Sequence, residues 1–130
     1  MQYVLMIHED PALAPAPGAA GFEEMMAGYY GFNAELERRG IKYTGNPLQP
    51  LATATTVRVR SGKTTITDGP FAETKEWMSG YFVVDCKDLD EALELAALIP
   101  GAGLGSVEVR PVAQYDELMK AMKERMAGQA

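Results

Sequence analysis

Apolar and polar positions alternate between two periods along the chain, and the switches mark its elements. Gln2 to His8 is almost continuously apolar through Tyr3, Val4, Leu5, Met6 and Ile7, the pattern of a strand covered on both faces, which belongs in the middle of its sheet. Asp10 to Gly21 is rich in Pro, Ala and Gly and reads as a surface loop, since Pro11, Pro15 and Pro17 each lack a backbone donor. Phe22, Met25, Met26, Tyr29, Phe32 and Leu36 then recur at three- and four-residue spacing and predict a helix. Arg38 and Arg39 suit the negative end of its dipole, and Gly40 suits a left-handed stop. Gly28 and Gly31 inside this helix cost about 1 kcal/mol each relative to Ala, which close backbone approach explains.

Ile41 to Tyr43 predicts a short strand before the turn-prone Gly45, Asn46 and Pro47. Thr55 to Arg60 alternates Thr and Arg against Val57 and Val59, and Ser61–Gly62 reverses the chain into Lys63 to Thr67, giving a hairpin with one wet face. Gly80 to Cys86, with Tyr81, Phe82, Val83 and Val84, is a second doubly covered strand that belongs beside the first. Asp88 and Glu91 have the spacing of a helix-starting cap, Leu89, Ala92, Leu93 and Ala96 form the expected inner face, and Pro100–Gly101 ends the helix. Ser106 to Arg110 is a last strand, and Asp116 to Ala127 a terminal helix bearing Met119 and Met122.

This order predicts an α+β fold, a ferredoxin-like sandwich with an inserted β-hairpin. Residues 1–130 read as one domain, with 113–130 a C-terminal helical extension. Two helices cover only one sheet face, yet Val4, Met6, Tyr81 and Val83 point to the other. A second copy is therefore expected to pack sheet to sheet against it as a homodimer.

Twelve basic and 18 acidic residues give a net charge of −6, so no positive field draws the chain directly to nucleic acid or to anionic membrane. One Cys and one His exclude an intramolecular disulfide and a Cys/His zinc cage. The first basic residue is Arg38 and no 18-residue apolar run occurs, which points to a soluble, cytoplasmic protein. Met25, Met26, Met119 and Met122 read as core fillers, and Cys86 as a small buried residue.

Candidate chemistry concentrates in DGPFAETKE at 68–76. Asp68, Gly69 and Pro70 suit a turn, Phe71 an anchor, and Glu73, Lys75 and Glu76 put charge beside Phe71 and Trp77. His8, at the end of the first strand, is a candidate proton shuttle, with Glu9, Asp10 or Asp68 to orient it. GxxxxGK[ST], GxGxxG after the first strand, HExxH and GxSxG are all absent, so no cofactor or metal is expected.

The opening MQYVLMIHED, then NPLQPLATATTVRVRSGKTTITDGPFAETKE, SGYFVVDCKDLDEALELAALIP and finally VEVRPV together resemble the DGPF subgroup of the YCII-related proteins over residues 1–112. The resemblance implies a dimeric α+β barrel of bacterial, intracellular origin, and a sigma factor of the extracytoplasmic-function class as a candidate partner. YCII relatives are proposed to use a His and Asp pair, and the corresponding positions here hold Tyr29 and Ile99. The leading expectation is a dimer that binds a small polar organic molecule between the sheet and the first helix, near Asp68, Phe71, Glu73 and Lys75. The alternatives are a cofactor-free isomerase or lyase using His8, Asp68 and Tyr29, and a regulatory protein that contacts the sigma factor.

Overall fold

The computed structural model describes residues 1–70 and 74–129. Its elements are β1 (Gln2–Glu9), α1 (Phe22–Arg38), β2 (Lys42–Pro47), β3 (Thr55–Arg60), β4 (Lys63–Asp68), β5 (Trp77–Asp85), α2 (Leu89–Leu98), β6 (Gly105–Pro111) and α3 (Tyr115–Ala127). Four strands form an antiparallel sheet in the order β2-β5-β1-β6, while β3 and β4 pair only with each other. With the β3–β4 hairpin set aside, this is the strand order of a ferredoxin-like α+β sandwich, as the sequence predicts.

The pleat of β1 explains the core. Tyr3, Leu5 and Ile7 are buried and join Phe82 and Val84 of β5, Phe32 and Leu36 of α1, and Ala92, Leu95, Ala96 and Ile99 around α2. Leu5, Leu36, Val84, Leu95 and Ile99 are fully buried, each worth roughly 1.5–3 kcal/mol relative to exposure. Phe32 meets Phe82 edge to face, with ring centroids 5.0 Å apart.

Local chemistry sets the element ends. Gly40 takes a left-handed φ of 68° after α1. Ser61 and Gly62 both have positive φ, the signature of a type I′ turn, which matches the twist of the ribbon. Asp88 caps α2 by accepting from the Glu91 N–H at 2.9 Å, and the Glu91 carboxylate accepts from the Lys87 N–H. Arg39 bonds both Glu35 of its own helix and Glu94 of α2, joining the two helices at the surface.

Several sequence expectations need correction. β2 runs on through Gly45, Asn46 and Pro47 instead of turning there: a Cβ on Gly45 would lie 2.7 Å from the Phe82 ring, so glycine lets the strands close, and an edge strand tolerates proline. The inner face of α2 is Ala92, Leu95, Ala96 and Ile99, while Leu89 and Leu93 are exposed, because the helix rotates its alanines toward the sheet. None of the four methionines belongs to the buried core: Met26 and Met122 are exposed, and Met25 and Met119 only half-buried, since α3 buries no side chain and the start of α1 overhangs the sheet. Cys86 is buried as expected, and burial pushes its thiol pKa up.

The helix glycines divide. A Cβ on Gly28 would meet Pro100 at 2.9 Å, so close approach does explain this residue, whereas one on Gly31 meets nothing within 4 Å. Buried Gly101 is tighter still, with Ile7, Glu9 and Tyr29 atoms 2.6–2.8 Å from where its Cβ would be. Urea denaturation should therefore show Gly31→Ala stabilised by about 0.5–1 kcal/mol. The same experiment should show Gly101→Ala destabilised by about 1–3 kcal/mol.

Candidate functional site

The end of β1 sends three successive polar residues to three places. His8 pairs with Ser106 of β6 and Met78 of β5, on the face away from the helices. Glu9 meets Tyr29 of α1 on the other side, and Asp10, 8% exposed, begins the following loop. The β1–β5 register slips between Ile7 and His8, so Ser79 is an extra residue on β5, and its hydroxyl donates to the Ile7 carbonyl at 3.5 Å. Such a bulge bends its strand and re-aims the side chains around it.

His8 and Asp10 open into a cleft of about 880 Å³ on the face that the helices leave uncovered. Leu13, Leu51, Pro70, Trp77 and Met78 give it apolar walls, and Thr74, Lys75, Glu76 and Glu108 add polar groups. Its volume is in the range of small-molecule sites, and six of its eleven lining residues are polar.

The polar groups are held in place. Asp10 Oδ1 accepts from the Ala12 N–H at 2.9 Å in an Asx turn, and its Oδ2 lies 3.7 Å from Lys75 Nζ. The Asp10 backbone is tied as well, its N–H donating to the Leu104 carbonyl and its carbonyl accepting from Leu13 and Ala14. The Ser106 hydroxyl donates to Glu76 Oε1 at 2.6 Å, which links β6 to the approach of β5. Carboxylates outnumber cations among the described lining residues, so the cleft favours a ligand that donates hydrogen bonds.

Of the residues singled out from sequence, His8, Asp10, Pro70, Lys75, Glu76 and Trp77 line this cleft, and Asp10 pairs with Lys75. Asp68 ends β4 with an exposed side chain and does not line it, and Gly69 beside it has the expected positive φ of 103°. Phe71 and Glu73 lie outside the described residues. Tyr29 sits across the sheet, where its hydroxyl donates to Glu9 Oε1 at 3.2 Å. The expected pocket between sheet and first helix is filled at this height, because Gly101 packs against Ile7, Glu9 and Tyr29; the cleft opens on the opposite face instead. Ile99 is core. A smaller hollow of about 490 Å³, with Met25, Pro100 and Leu104 in its wall, lies at the start of α1. Ser106 has no signal in the sequence, and Glu108 reads there only as part of a polar strand face; the β1–β6 register sets Ser106 opposite His8 and Glu108 opposite Met6 on the same face.

No helix among the described residues is long and apolar enough to cross a membrane. The family model for the YCII-related domain matches residues 1–116. An uncharacterised protein of Rhizobium meliloti (strain 1021) is 35% identical over 117 residues, covering 88% of this chain and 94% of that protein. Among solved structures, 5-chloro-2-hydroxyhydroquinone dehydrochlorinase from Burkholderia phenoliruptrix AC1100, in complex with 2,5-dihydroxybenzoquinone, is similar at a TM-score of 0.47 and 16% identity. That match covers 90% of this chain and 98% of the other.

Burial first, and then the Glu9 charge and hydrogen bond, push the Tyr29 pKa well above its ordinary value. A raised folded-state pKa contributes stability that is complete below the ordinary tyrosine value near 10 and lost as pH climbs toward the folded value. Urea midpoints should therefore fall between pH 9 and pH 11, values set around that ordinary pKa, and should fall less in Tyr29→Phe. An equal fall in both proteins would mean that this hydroxyl does not hold its proton in the folded chain.

Proposed function

The chain belongs to the YCII-related family, and from that premise we propose that it binds a small polar organic molecule in the His8–Lys75 cleft. The observation that carries this reading is the convergence of His8, a buried Asp10 and Lys75 beside the Trp77 and Met78 wall of one large cleft. His8 supplies two ring nitrogens for hydrogen bonding, Lys75 a cation, and the indole a flat apolar surface.

The same reading includes a homodimer. Val4, Met6, Tyr81 and Val83 lie in neighbouring registers on the uncovered face and are only half-buried. A second copy set on that face hides this apolar row and roofs the cleft beside it, which strengthens every polar contact inside by excluding water.

Trp77 is the one tryptophan of the chain, so its emission reports on the cleft alone. Titration with a panel of hydroxy-, amino- and keto-substituted small molecules should shift that emission for at least one class. His8→Ala should then weaken the binding by about 10-fold, the loss of one well-placed hydrogen bond. An unresponsive indole across the panel, with no metabolite carried through native mass spectrometry, overturns the binding reading. Light scattering at micromolar concentration should give twice the chain mass, and a monomer there overturns the dimer.

A further inference from the structure

The β3–β4 ribbon carries one apolar and one basic face, and every residue of its two strands but Thr56 is exposed. Val57 pairs directly with Ile66, and Val59 lies two residues along the same face; their exposures are 60%, 68% and 57%. The pleat turns Arg60 and Lys63 to the other side, where both are exposed. A lone two-stranded ribbon is marginal in water and needs a further layer to hold it. Among the described residues this one bonds to no other strand and has no extended packing on a helix.

Charge says what that layer is. From Thr55 to Asp68 the ribbon carries three cations and one carboxylate, a net +2, so the remainder of the chain holds −8 of the total −6. A second copy therefore offers the ribbon an acidic surface, and rotational symmetry gives each ribbon an equivalent seat. Area points the same way. A four-stranded face about 19 Å by 23 Å has a footprint near 440 Å², short of the roughly 800 Å² per partner of a stable interface. Two six-residue strands add roughly 190 Å² for the ribbon given and the same for the ribbon received, which closes the gap.

We propose that the β3–β4 ribbon is a dimerisation arm that lies on a second copy of this chain. Its Val57, Val59 and Ile66 face meets apolar surface there, and Arg60 and Lys63, which flank the turn at the ribbon's tip, reach carboxylates at the edge of that surface. The arm rests on the sheet-face dimer proposed above and supplies contact area which that face lacks. Because the base of the ribbon leads through Gly69 to Pro70 in the cleft wall, seating the arm also fixes that wall.

Two measurements separate the arm from the dimer beneath it. In sedimentation equilibrium, Val57→Asp combined with Ile66→Asp should weaken self-association by at least about 100-fold, with the Trp77 emission of the monomer unchanged. Carbodiimide coupling of an equal mixture of 14N- and 15N-labelled wild-type chains should give mixed-label peptides that join Lys63 to a carboxylate. A wild-type monomer overturns the arm and the sheet-face dimer together. A wild-type dimer that keeps its affinity in the double variant, or that couples Lys63 only within one label, overturns the arm alone and leaves the ribbon to another partner.

Discussion

Hydrogen bonding on both sides holds β1 between β5 and β6, and the pleat then divides its side chains without compromise. Tyr3, Leu5 and Ile7 go into the layer under α1 and α2, while Val4, Met6 and His8 go the other way. Two helices can close only one of these faces. The core, the cleft and the half-exposed apolar row all follow from this division: the covered face packs to full burial, and the other keeps an opening large enough for a ligand.

The two faces communicate at the end of β1. Glu9 turns inward to Tyr29 and Gly101, where contacts leave no room for one added carbon, while His8 turns outward. Asp10 is anchored to Leu104 immediately beyond. The outward histidine is therefore mounted on a rigid point, and a side chain that meets a ligand gains from such support, because little ordering remains to be done on binding.

Much of the fold was legible in the sequence because the central strands announce themselves by unbroken apolar runs, and the hairpin and helix stops by their glycines. The inner face of α2 was not. Leu89, Ala92, Leu93 and Ala96 form a valid helical stripe, but so do Ala92, Leu95, Ala96 and Ile99, and only the rotation of the helix against the sheet chooses between them. The extension of β2 through Pro47 was hidden for a similar reason, since turn chemistry is local and an edge pairing is not. At the site, His8 and Lys75 were visible as residue types. Their place in one cleft with Asp10, which pairs with Lys75, depends on the tertiary fold, and the positions of Ser106 and Glu108 depend on the register of β6. Tyr29 carried a visible hydroxyl, but which face it served depended on the direction of α1.

The extra residue at Ser79 gives β5 a hinge of its own. Met78 and Trp77 would keep their ladder partners, His8 and Glu9, in a chain one codon shorter at this point, because the bulge occupies no rung. What changes is the bend of β5, and with it the angle at which the indole leans over the opening. A change of length here alters the width of the opening while the β1–β5 ladder stays in register.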